Sequence, residues 1–206
     1  MDQTTIRIIV VAVILSIVFS ITLKVLKEQR MQQLVACIRQ KDTERFLTLA
    51  QSRFTRFLFP PYNIEYLKLN AYLMEEDTEK IDAQFDKMLQ FHLSKEQDQD
   101  LTMKAFNYYL GAENRKKTRE LLTRIKGFEE KELTKEAQKL YDILIEKSTS
   151  YIADMEKQLA DADEENKVFL EFLLYMQYKN ANNTKKADVY RSLYQQHTGT
   201  APQTTA

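Results

Sequence analysis

Two histidines and one cysteine are this chain's whole stock of imidazole and thiol. His92 and His197 lie far apart, and Cys37 is distant from both. No H-E-x-x-H, C-x-x-C, G-x-x-x-x-G-K or G-x-G-x-x-G pattern occurs. A catalytic zinc or a Cys–His pair is hard to build from that stock, so no enzyme activity, metal or cofactor is expected. The acidic run DADEEN, Asp161 to Asn166, lacks the glycine and alternating ligands of a calcium loop. Acidic residues are favoured at the start of a helix in any case, and Asp163 is the expected cap. RFTRF, Arg53 to Phe57, interleaves arginine with aromatics as binders of single strands do. At helical period it also fits an amphipathic turn beside a membrane, which the balanced charge favours. Asn182-Asn183-Thr184 matches a glycosylation acceptor and, equally, a helix cap.

These fragments need elements to carry them, and composition names the class. Three glycines and three prolines occur in 206 residues, against about twenty-five in an average chain. β architectures rich in turns need more, so an all-α protein is expected. Lysine plus arginine and aspartate plus glutamate stand at 30 each. That balance gives no strong attraction to nucleic acid, and no nucleic-acid partner is expected. One cysteine cannot form an internal disulfide.

Ile8 to Leu23 runs without a charge, and Ile6 to Leu26 adds only Arg7 and Lys24, placed to snorkel. At about 1.5 Å per residue this stretch covers roughly 31 Å, enough for a transmembrane helix over 6–26. The tetrapeptide LVAC, Leu34 to Cys37, has the form of a lipoprotein cleavage box, yet it lies well past the apolar run instead of abutting it. Arg7 precedes the uncharged run, whereas Lys24, Lys27, Arg30, Arg39 and Lys41 follow it. The positive-inside rule therefore places the C-terminal domain in the cytoplasm of a single-pass membrane protein. Ser16 and Ser20 form a small-xxx-small pair through which two such helices could self-associate; two tolerated serines in a lone helix is the simpler account.

Beyond the span the chain repeats. DTERF from Asp42, DTEKI from Asp77, NRKKT from Asn114, STSYI from Ser148 and NTKKA from Asn183 start 35, 37, 34 and 35 residues apart. Each begins with a residue suited to capping a helix and is followed by apolar residues at helical spacing. Four, five and eight positions upstream, apolar residues mark one face of a preceding helix: Ile38, Cys37 and Leu34 in the first unit, Leu110, Tyr109 and Phe106 in the third. Each unit then reads as helix, tight turn, helix, and LVAC is the core face of the first helix. Units of 28–60, 61–95, 96–131, 132–162 and 163–197 fill a domain over 27–197, with Phe59-Pro60-Pro61-Tyr62 and Gly127 as breakers. A polar tail over 198–206 is expected to be disordered.

Leu69-Asn70-Ala71-Tyr72 and Asn107-Tyr108-Tyr109, in units of this length, resemble the tetratricopeptide (TPR-like) repeat family. The departures are at the family's small positions, where Leu69, Phe106, Leu140 and Tyr175 stand in the first helices and only Ala187 is small in a second helix. The resemblance implies an α-solenoid whose first helices line a groove for a partner's peptide or helix. Carried over residue by residue, that groove is Tyr66, Asn70, Met103, Asn107, Tyr141, Phe172 and Met176. Asparagines suit a partner's backbone, and aromatics and methionines its apolar side chains. The same side chains could equally pack between neighbouring repeats. The expected role is a membrane-anchored scaffold or assembly factor recruiting a partner protein. The alternatives are an extracytoplasmic anchored protein of envelope or secretion assembly, and a regulatory subunit of a membrane enzyme.

Overall fold

The protein is described by a computed structural model covering residues 3–200, the side chains of residues 3–11 and Glu165 excepted. It is all-helical. Among the described residues there are eleven helices and no strand: α1 (Gln3–Arg39), α2 (Thr43–Gln51), α3 (Arg53–Leu58), α4 (Pro61–Glu75), α5 (Thr78–Met88), α6 (Lys95–Gly111), α7 (Arg115–Lys126), α8 (Lys131–Leu144), α9 (Ile152–Ala160), α10 (Glu164–Asn180) and α11 (Thr184–Thr198). The chain forms two compact units divided between His92 and Leu93, close to the expected boundary between the second and third repeats at 95/96.

Four of the five expected turns share one construction. The carboxylate or amide of Asp42, Asp77, Asn114 and Asn183 accepts a hydrogen bond from the backbone N–H three residues on, satisfying a donor in the first turn of α2, α5, α7 and α11. The same four residues close the preceding helix. Their own N–H groups donate to Cys37, Tyr72, Tyr109 and Tyr178 carbonyls, at 2.9, 3.3, 2.9 and 2.9 Å. The residue before each cap is left-handed: Lys41, Glu76, Glu113 and Asn182 have φ of 50–58°. This is the Schellman arrangement with a side chain where glycine is usual. Left-handed backbone disfavours a Cβ by about 1 kcal/mol, so Glu76→Gly, at an exposed position, is expected to stabilise the first unit by about that much. Urea unfolding reads the change, and a loss of stability would show that the Glu76 side chain holds the turn.

The fourth turn differs. Ser148 N–H reaches one residue farther from its acceptor, Asp142 O at 2.8 Å, and Ser148 Oγ accepts from Ser150 N instead of capping a helix. The expected cap at Ser148 is therefore corrected: α9 starts only at Ile152, after Tyr151. The linker is held by side chains, with Tyr151 donating to Asp142 Oδ2 at 2.6 Å and Asn180 Nδ2 to Ile143 O at 2.9 Å.

In the first unit α1 packs against α2, α3 and α4, and α4 against α5. Leu34, Cys37, Ile38, Phe46, Ala50, Phe59, Ile64 and Ala71 form its core. LVAC thus supplies two buried residues, and Cys37 is a buried free thiol. The expected second helix of this repeat breaks at Ser52, whose hydroxyl accepts from Thr55 N and so begins α3. In the second unit α6 packs on α7, α7 on α8, and α10 on α8, α9 and α11. Phe106, Leu101, Ile125, Ile143, Met155 and Leu173 are fully buried there.

Among the described residues no helix is long and apolar enough to cross a membrane. The span expected over 6–26 begins in residues whose side chains lie outside that description. Its remainder is part of α1, where Val13, Ile14, Leu15, Ile17, Val18, Phe19 and Ile21 are all exposed. Of the expected tail, Thr198 closes α11 and 201–206 lie outside the described residues.

Candidate partner-binding surfaces

The polar side chains nearest the turns recur as a set. Tyr72, Tyr109 and Tyr178 end their helices, and the lysine eight residues later folds back over each ring: Lys80 at 5.7 Å, Lys117 at 4.7 Å and Lys186 at 5.4 Å. The sequence carries this signal as Tyr-x7-Lys at three of the five turns. At the last of these turns the set closes on Glu156 of α9. Its Oε1 accepts from Tyr178 at 2.7 Å, Lys186 at 2.9 Å and Tyr190 at 3.0 Å. The Tyr178 and Tyr190 rings stack 5.6 Å apart. Lys186 and then the Tyr178 hydroxyl hold the Glu156 carboxyl below the usual carboxylate range. Burial, with the carboxylate beside it, pushes Tyr190 up to about 12. A phenol so placed stays protonated near neutrality and serves as a fixed donor.

In the first unit Glu65 has a similar part. Burial raises its pKa, but Gln84 Nε2 at 2.8 Å and Lys87 Nζ at 2.8 Å, with Lys68, outweigh that and leave it lowered. Beside it is a cavity of about 350 Å³ lined by Phe59, Ile64, Arg56 and Lys68 among others.

The seven residues expected to line a groove are distributed unevenly. Tyr66 and Asn70 belong to the first unit, both half-buried, with the Tyr66 ring 5.8 Å from Tyr62. In the second unit Met103 is half-buried and Asn107 exposed on α6. The amides of Asn70 and Asn107 make no hydrogen bond among the described residues. Phe172 is half-buried, with its ring 5.9 Å from Tyr194. Tyr141 and Met176 are buried. Tyr141 accepts from Arg119 Nε at 3.2 Å and donates to Glu146 at 2.9 Å. Both residues therefore pack inside the unit, the structural use weighed for them above.

The irregular fourth turn opens a surface that the repeat pattern did not announce. With α9 packed chiefly on α10, a cleft of about 560 Å³ lies between α8 and α9, lined by Gln138, Lys139, Tyr151, Met155 and Gln158 together with Glu132, Lys135, Glu136 and Asp154. Charges of both signs beside one aromatic and one thioether suit a polar peptide segment better than an apolar small molecule.

The remaining sequence candidates have structural uses. Asp163 caps α10 through Asn166 N at 2.9 Å, and Asn183 caps α11. His92 is exposed, whereas His197 Nδ1 meets Glu171 Oε2 at 2.9 Å. No group of three metal-ligating side chains occurs among the described residues. No known protein family, curated protein or solved structure matches this chain.

Proposed function

We propose that this chain is a single-pass membrane protein whose TPR-like helical repeats hold a partner protein at the membrane, as a scaffold or assembly factor. The observation that carries this reading is the two-sided character of α1. One continuous helix goes from a stretch exposed around its whole circumference, Val13 to Ile21, to a stretch buried in a core at Leu34 and Cys37. An apolar helix face without a cover in its own chain calls for lipid, and residues 6–11 would extend the run to spanning length. The basic residues after the run favour a cytoplasmic repeat domain.

Partner binding is supported by Asn70 on α4 and Asn107 on α6, whose amides have no hydrogen-bond partner among the described residues, and by half-buried Tyr66 on α4, Met103 on α6 and Phe172 on α10. A backbone-reading asparagine contributes about 1 kcal/mol, so Asn70→Ala with Asn107→Ala should weaken partner capture roughly ten- to thirty-fold. Helical content and melting should stay unchanged. The capture is done with a membrane-impermeant amine cross-linker. Capture only after the membrane is opened agrees with a cytoplasmic domain, and capture on intact cells favours the envelope alternative. Undiminished capture by the double variant removes the asparagines from the mechanism.

A further inference from the structure

α3 is a six-residue helix, too short to persist on its own hydrogen bonds. Its inner side is fixed by Thr55, fully buried, whose hydroxyl donates to Leu49 O at 2.7 Å. Its outer side carries Phe54, 40% exposed, and Phe57, 71% exposed, alternating with the exposed Arg53 and Arg56. Among the described residues neither arginine has a carboxylate partner. Exposed phenylalanine beside unpaired arginine is a costly surface for water and a suitable one for the boundary of a bilayer.

Two contacts set the depth of this surface along α1. Lys27 Nζ lies 5.5 Å from the Phe59 ring, and the Arg30 guanidinium 5.1 Å from the Phe54 ring. Lys27 is one residue past Leu26 and Arg30 four, so they stand about 1.5 and 6 Å beyond the apolar run. The polar layer on each side of a bilayer is roughly 5–7 Å thick. The rings touched by Lys27 and Arg30, and with them α3, therefore fall within that layer. Charge agrees with depth: Lys24, Lys27 and Arg30 follow one another along α1 past the apolar run, with Glu28 as the acidic residue among them, and Arg30 meets α3, which carries Arg53 and Arg56.

From this placement, which rests on the anchoring of α1 proposed above, we infer that α3 is an interfacial helix that docks on anionic phospholipid. Phe57 sits at the boundary between headgroups and acyl chains. Arg53 and Arg56, joined by Lys24 and Lys27, take lipid phosphates, and the guanidinium fork suits that geometry. The consequence is orientational. A single span leaves a domain free to swing, whereas a second contact beside it fixes which face of the first unit is turned toward the membrane.

The chain has no tryptophan, so Phe57→Trp supplies a single reporter. The full-length variant is placed in vesicles of phosphatidylcholine with phosphatidylglycerol, with and without acyl chains brominated near the headgroup. The expected result is emission shifted to shorter wavelength and quenched by bromine. Phosphatidylcholine alone should lose most of the quenching, and so should Arg53→Glu with Arg56→Glu in the mixed vesicles. Loss of two basic residues at an anionic surface lowers the docked-to-undocked ratio roughly thirty-fold, and the two glutamates in their place lower it further. Unquenched emission from chain that still floats with the vesicles after an alkaline wash overturns the docking while leaving the anchor standing. Shifted but unquenched emission also overturns it, because protein and not lipid then covers Phe57. Chain that does not float removes the anchor, and the docking with it.

Discussion

Phe106→Ala is expected to destabilise the second unit by about 3–5 kcal/mol, the range for deleting a fully buried aromatic ring. Against a whole-domain stability of about 5–15 kcal/mol, that leaves a protein close to unfolding at physiological temperature. The position has a register as well as a burial. Phe106 stands eight residues before the cap Asn114, where the other repeats place Leu34, Leu69, Leu140 and Tyr175. Phe106 and the three leucines are buried, but Tyr175 is only half-buried. Tyr175→Ala should therefore cost about half as much or less, since less area leaves water on folding and the cavity is partly open already. Urea unfolding followed by circular dichroism compares the two. Equal costs would mean that burial does not decide what this register position contributes, and a loss under about 1 kcal/mol for Phe106→Ala would undo the alignment of the repeats.

The alignment was legible because caps and apolar periodicity are local. A side chain of Asp or Asn reaches an N–H three residues away whatever surrounds it, so Asp42, Asp77, Asn114 and Asn183 could be found by inspection. Ser148 has the right type at the right spacing and still does not cap. There the preceding helix closes through a bond from Ser148 N to Asp142 O, one residue longer than its counterparts, and Tyr151 is recruited by Asp142 and Gln177. Those partners are set by tertiary contact, which no spacing rule contains. The division between the two units, at His92 and Leu93, falls close to the expected boundary between 61–95 and 96–131, and caps rather than breakers mark it. Nothing like proline or glycine marks Gln90 to Ser94, although Ser94 and Gln97 form a capping box that announces the start of α6.

The exposure of the seven residues expected to line a groove was the least legible part. Periodicity identifies which side chains share a helix face, but not whether that face meets a neighbouring helix or water. Tyr141 and Met176 matched the pattern as well as Asn107 did, yet they are buried and Asn107 is exposed. The lysines over Tyr72, Tyr109 and Tyr178 were hidden by convention: lysine in the first turn of a helix reads as solvated surface, and its stem can as easily lie along a ring.

His197→Ala should destabilise the second unit more than Glu171→Met, although both remove the same contact. Glu171 lies on α10 with its side chain only 4% exposed, and His197 Nδ1 of α11 reaches its Oε2 at 2.9 Å. An ionised carboxylate can only accept, so in that state Nδ1 carries the hydrogen. Removing the histidine leaves a buried carboxylate without its donor, a change that costs several kcal/mol where both partners are dry. Here the imidazole is 34% exposed, so water reaches part of the vacated space and the expected cost falls to about 1–3 kcal/mol. Methionine at 171 removes the charge together with its need for a partner and keeps much of the volume, so it should be close to neutral or slightly stabilising. The double variant should then resemble Glu171→Met alone, because the histidine no longer has a buried charge to satisfy. Equilibrium unfolding of the three variants measures this order. A double variant as unstable as the sum of the two single changes would mean that His197 supports α11 by packing and not through the carboxylate. The polar end of α11 would then contribute nothing specific to the pairing of α10 and α11.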